Sequence, residues 1–168
     1  NGLVHWSMGA LAFSDDEWAR VAACGATIAH CPDSNMFLNS GRMRFDRARS
    51  LGVPVGLGSD VAAGRTFDMR RATAYAYDNA LLAGCEVSAA ELFRSSTLGG
   101  ANALGLGART GSLEPGKLAD FVVLAGARQD AGVEGALRAV TFGSELAPLE
   151  STYVRGKRIW HARAQALV

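Results

Sequence analysis

The sequence predicts an α/β protein in which parallel strands alternate with helices, followed by a small β domain. Three observations carry that reading. Short apolar runs, "ATIAHCP" (26–32) and "VPVGLGSD" (53–60), alternate with amphipathic stretches at the spacing of βαβ units. The second run is apolar almost throughout, as suits a strand covered on both faces. After Leu106 the texture changes to turn-rich and β-forming segments, starting with "RTGSLEPGKLADFVVLAGA" (109–127).

In chain order, "GLVHW" (2–6) reads as a strand. "SDDEWARVAAC" (14–24) opens on a capping box, in which Ser14 accepts from the Glu17 amide while Glu17 reaches back, and Gly25 stops the helix. Residues 26–32 form a buried strand halted by Pro32. "RMRFDRARSLG" (42–52) is a helix ending at Gly52, and 53–60 the next strand. Helices follow over 67–83 and 89–104, the second again opening on a capping box, Ser88 with Glu91. The boundary lies near residue 108, dividing the chain into 1–108 and 109–168. Beyond it, Phe121–Leu124, "ALRAVTFG" (136–143) and "STYVRGKRIW" (151–160) read as strands, the last turning at Arg155-Gly156.

Composition narrows the function. The chain has 168 residues, 49% hydrophobic and 20% charged, with a net charge of +1. That excludes a disordered chain and argues against nucleic acid or a membrane surface as partner. No apolar run of about 18 residues is present to span a bilayer, and the first residues lack the shape of a signal peptide. Cys24, Cys31 and Cys85 are odd in number and have no CxxC spacing, so neither a disulfide framework nor a zinc knuckle is supported. Three thiols suit a reducing compartment, and the cytoplasm is expected. A homodimer is the prior for a soluble oligomer.

Asp60 is the residue that needs explaining, because it places a carboxylate at the end of an apolar strand. One reading is a helix N-cap or turn residue. The other is a metal ligand or general base, since α/β barrels collect function at the C-terminal ends of their strands.

Four segments bear on the choice: "HCPDSNMFLNSG" (30–41), "VGLGSDVAAGRTFDM" (55–69), "STLGGANALGL" (96–106) and "TGSLEPGKLADFVVL" (110–124). In this order and at these separations they closely resemble the C-terminal half of the amidohydrolase superfamily. "SLEPGKLADFVVL" is shared across that superfamily. "GLGSDVAAGRTFDM" and "AVTFGSELAPLESTYVRGKRIW" lean towards its guanine deaminases. The resemblance implies strands six to eight of a (β/α)8 TIM-like metal-dependent hydrolase barrel in 1–108 and part of a β-sandwich in 109–168.

It also implies chemistry: zinc-assisted hydrolysis of guanine, a small-molecule purine, to xanthine and ammonia. Asp60 would be the strand-eight carboxylate, binding the metal and shuttling a proton. A strand-six histidine would assist, and His5 is the candidate for that metal-site and catalytic role. Yet an ungapped count back from "HCPDSN" puts the family histidine at Gly9, four residues later. Either a four-residue insertion intervenes, or 1–9 is not the ordinary strand six and His5 is a surface residue. His30 and Arg65 are candidate substrate-binding residues, the alternatives being a packed histidine and a solvated arginine. Ser34 and Asn35 are expected to brace their loop, and His161 to be exposed.

The histidines are His5, His30 and His161, so no His-x-His pair is present. The family takes two metal ligands from such a pair and another from strand five. The resemblance therefore implies the C-terminal part of a longer enzyme, binding zinc weakly and inactive in isolation. Other readings are a different heterocycle hydrolase, such as a methylthioadenosine/adenosylhomocysteine deaminase or a triazine hydrolase, and a non-catalytic barrel relative.

Overall fold

The computed structural model describes residues 13–126, 132–142 and 147–162. Helix α1 (Asp15–Ala23) starts as its sequence directs: the Glu17 N–H donates to Ser14 Oγ at 3.3 Å and the Ser14 N–H to Glu17 Oε2 at 2.8 Å. Strands β1 (Ile28–His30) and β2 (Val55–Leu57) pair in parallel, with Ile28 opposite Val55, Ala29 opposite Gly56 and His30 opposite Leu57. Both are shorter than the apolar runs that announced them. The expected strand 2–6 lies outside the described residues.

Between the two strands come α2 (Pro32–Phe37) and α3 (Phe45–Ser50). Pro32 ends β1 as expected, but it also begins α2, because its fixed φ and missing N–H suit the first helical position. Helix α4 (Met69–Leu82) is N-capped by Asp68, which accepts from the Arg70 N–H. The single helix expected over 89–104 is two, α5 (Ala89–Ser96) and α6 (Leu98–Ala103). They part at Thr97 (φ −125°, ψ −104°), whose hydroxyl donates to the Phe93 carbonyl at 2.7 Å. The Gly99-Gly100 pair that follows gives little intrinsic support to a continuous helix. Those glycines let α6 sit directly on β2: a Cβ on Gly56 would lie 3.2 Å from the Gly100 Cα.

The C-terminal elements are β3 (Phe121–Leu124), α7 (Gly132–Phe142), β4 (Leu149–Val154) and β5 (Lys157–His161). The strands form an antiparallel sheet in the order β3-β4-β5. Arg155 (φ 51°) and Gly156 (φ 74°) both take the left-handed backbone that a two-residue hairpin favours. The strand expected at 136–143 is helix α7 instead. A short apolar run does not by itself separate strand from buried helix. Here Leu137, Val140 and Thr141, at helical spacing, turn inward while Arg138 and Ala139 face out. Helix α7 packs on α4 and α5, and the Phe142 ring lies 4.5 Å from that of Tyr77.

Two apolar clusters meet at Val55. One gathers Trp18, Ile28, Met43, Ala48 and Val53. The other gathers Phe45, Ala76, Ala80, Cys85, Val87 and Leu92. Among the described residues no helix is long and apolar enough to cross a membrane.

Candidate functional site

The candidate site is built where β2 runs out. The Gly58 N–H donates to the His30 carbonyl at 2.8 Å, carrying the β1–β2 pairing one step beyond the strands. Gly58 has to be small, since a Cβ there would come within 2.9 Å of Cys31 Sγ. The backbone then folds on itself. Asp60 takes φ 46° and Ala62 φ 105°. The Ala63 and Gly64 N–H groups both donate to the Asp60 carbonyl, at 3.1 and 2.5 Å. Sparsely populated backbone of this kind costs about 1–3 kcal/mol per residue in general. Gly64 closes the turn at a point where a Cβ would sit 2.0 Å from the Ser59 carbonyl oxygen, so no side chain fits.

The turn leaves Asp60 exposed. Among the described residues no hydrogen bond or ion pair reaches its carboxylate. The carboxylate therefore neither caps a helix nor braces the turn, and is open to a ligand from outside. Asp68, not Asp60, caps α4.

The turn is tied down from the side by Asp33, in the first turn of α2. Asp33 is 1% exposed, and its carboxylate accepts three hydrogen bonds from one residue. The Arg65 main-chain N–H reaches Oδ2 at 2.5 Å, while Nε and Nη2 reach Oδ1 at 2.9 and 2.6 Å. The guanidinium also stands over the rings of Phe37 and Tyr75, 5.4 Å from each centroid. Arg65 is thus held in an ion pair and between aromatic rings, with its outer face in solvent.

His30 lies beneath the site. Its ring is buried edge-on to Phe45, with centroids 5.3 Å apart. Burial pushes its pKa down to about 3, so the imidazole is neutral. Neither ring nitrogen has a hydrogen-bond partner among the described residues. The Ser34 hydroxyl donates to the Cys31 carbonyl at 3.1 Å and braces the start of α2, as expected. The Asn35 amide nitrogen has no such partner among the described residues, although the Asn35 carbonyl accepts from Ser40. His161 is exposed at the end of β5, beside the Glu150 carbonyl. His5 lies outside the described residues.

A bound divalent cation such as zinc takes roughly four ligands, most often from His, Cys and carboxylates. Among the described residues no group of three such side chains comes together. What the site offers is one open carboxylate at a strand end, on a turn of small residues. That fits a single ligand position; further donors would have to come from outside the described residues. The residue that sequence reasoning passed over is Asp33. Its only signal was its place beside Pro32, since an acidic residue in a first turn usually just complements the helix dipole.

Residues 4–159 match the model of the amidohydrolase family. The chain is 44% identical over 110 residues to the guanine deaminase of Escherichia coli (strain K12), a match covering 66% of this chain and 25% of that protein. Among solved structures, E. coli guanine deaminase superposes with a TM-score of 0.83 at 33% identity, covering 96% of this chain and 39% of that one. An adenosine deaminase from Xanthomonas campestris, crystallised with bound zinc, superposes with a TM-score of 0.78 at 27% identity, covering 93% of this chain and 36% of that one. The chain thus spans between a quarter and two-fifths of the length of these relatives.

Proposed function

The chain belongs to the amidohydrolase family, and on that premise we propose that it is the C-terminal part of an enzyme that hydrolyses guanine to xanthine and ammonia. The observation that carries the proposal is the open Asp60 carboxylate, presented at a strand end on a tight turn that leaves no room for a side chain at Gly64. The similarity to guanine deaminases supports the choice of ring.

In this reading Asp60 would hold a zinc ion through its carboxylate, and His5 and donors from the rest of the enzyme would complete the set. Zinc, when bound, would supply the Lewis acidity that makes water a competent nucleophile near neutral pH. Asp60 would accept a proton from the attacking water and return it to the departing amine, so that guanine and water leave as xanthine and ammonia. Arg65 already commits its Nε hydrogen and one Nη2 hydrogen to Asp33, so its free Nη hydrogens would meet a purine oxygen. His30, neutral and buried, would support the substrate side from below. Residues 1–108 would supply barrel strands six to eight and 109–168 part of the β-sandwich. The cytoplasm is the proposed compartment and a homodimer the proposed assembly.

The test is ammonia release from guanine by the full-length protein, with and without a zinc chelator. Chelator-sensitive release that Asp60→Ala abolishes is the expected result. Release from adenosine derivatives or triazines alone would keep the metal chemistry and change the ring. Bound zinc with no release from any of these rings would overturn the enzymatic reading.

A further inference from the structure

We infer that Asp33 is a positioning residue for Asp60: from the first turn of α2 it clamps the far end of the strained turn and thereby sets where the Asp60 carboxylate points. The inference rests on the metal-ligand reading of Asp60 and goes beyond it by assigning a role to a residue that touches neither metal nor substrate.

Two residues of the turn between Ser59 and Arg65, Asp60 and Ala62, sit at positive φ without being glycine. Such conformations persist only when the surroundings over-determine them. The hydrogen bonds within the turn close it upon the Asp60 carbonyl, but they do not fix its direction relative to the sheet. Two attachments do that. At its start, the Gly58 N–H is bonded to the His30 carbonyl on β1. At its end, the Arg65 main-chain N–H is bonded to Asp33. Asp60 hangs between these anchors.

The chemistry at Asp33 exceeds what a helix start needs. A first-turn aspartate that merely complements the helix dipole lies at the surface and is worth little. Asp33 is 1% exposed, and both its oxygens are engaged by one residue of another loop. Burying a carboxylate is unfavourable unless it is paired and hydrogen-bonded, so the native turn and the buried charge require each other. Phe37 and Tyr75 hold the guanidinium in place and limit the orientations from which it can serve the carboxylate. Displacing a reacting group by about 1 Å can cost on the order of 100-fold in rate. Loss of the outer partners that orient metal ligands typically costs about 10- to 100-fold in affinity or activity.

The experiment uses the full-length protein loaded with Co2+, whose visible spectrum reports the ligand geometry. Three variants are compared: Asp33→Ala, the surface change Arg65→Gln, and the two combined. Asp33→Ala is expected to weaken Co2+ binding and lower kcat per bound metal by about 10- to 100-fold each, with KM changed less than about threefold. Arg65→Gln should have a smaller effect on the metal, because its main-chain N–H still reaches Asp33. The double variant should bind Co2+ no worse than Asp33→Ala, since an Arg65 without Asp33 has nothing to hold.

A purely structural Asp33 would lower the melting temperature and the fraction of folded protein while leaving the spectrum and kcat per bound metal as in the wild type. That result overturns the inference. Should Asp33→Ala fail to fold, Asp33→Leu decides the matter, since it fills the buried site but accepts no hydrogen bond from the Arg65 N–H: unchanged Co2+ affinity and spectrum overturn the clamp. An Asp60→Ala variant that binds Co2+ as well as the wild type also removes its basis. Absence of guanine turnover in the wild type would instead refute the substrate assignment. The Co2+ titration would still judge the clamp.

Discussion

Helix α5 and the turn that follows β2 are built on opposite plans. At the start and on the inner face of α5 local preference agrees with the fold: Ser88 and Glu91 close a capping box, and Leu92 is fully buried against the α4 side of the core. Between Ser59 and Arg65 local preference is overruled. An aspartate and an alanine take backbone that glycine prefers, and a buried carboxylate holds the end in place. Agreement across levels produces stability, whereas local conflict maintained by distant contacts is characteristic of functional sites. The contrast implies that changes in α5 alter how well the protein folds, and changes in the turn alter what it can bind.

The sharpest way to break that contrast is Asp60→Ala. It should remove at least about 100-fold of turnover in the full-length enzyme while leaving the melting temperature near that of the wild type. Leu92→Ala should do the reverse. Truncating a fully buried leucine costs about 2–5 kcal/mol, read as a lowered midpoint in urea, with kcat unchanged in the folded fraction.

Acidification should act on the layer beneath the turn. His30 is neutral when folded, with a pKa of about 3, and titrates near 6.5 when unfolded. Between those values the unfolded chain binds more protons, so stability is complete above about pH 6.5 and falls as pH drops towards 3. His30→Phe should flatten the melting-temperature profile over that window.

Two smaller effects complete the set. Ser88→Ala should cost about 1 kcal/mol, by removing the α5 cap, without a change in metal binding. Ala62→Gly relieves a φ of 105° and should leave stability level or raise it by up to about 1 kcal/mol. Metal affinity measured on that variant sharpens the comparison, because a turn freed of strain at Ala62 should hold Asp60 less firmly.

These two plans also explain what could be read from the sequence. The capping boxes at Ser14 and Ser88 announce themselves within four residues, and the parallel pair β1–β2 follows from its apolar runs. The Arg155-Gly156 hairpin is equally local. Helix α7 was not legible, because its strand-like run becomes helical by packing on α4 and α5, far off in sequence. Nor was the break at Thr97, where a side chain and the close approach of α6 to Gly56 outweigh helical periodicity. Asp60 stood out because its charge contradicts its neighbours. Asp33 did not, since only its contact with a residue 32 positions away sets it apart.

The docking of α7 has a consequence for how the chain can be divided. Texture changes near residue 108, yet Phe142 lies against Tyr77 of α4, and Arg70 at the start of that helix donates to the Ala147 carbonyl at 2.5 Å. A protein truncated after residue 108 would present the bare flanks of α4 and α5 to water. It should gather into aggregates instead of behaving as an independent module, and a recombinant boundary is better placed where no helix has to be uncovered.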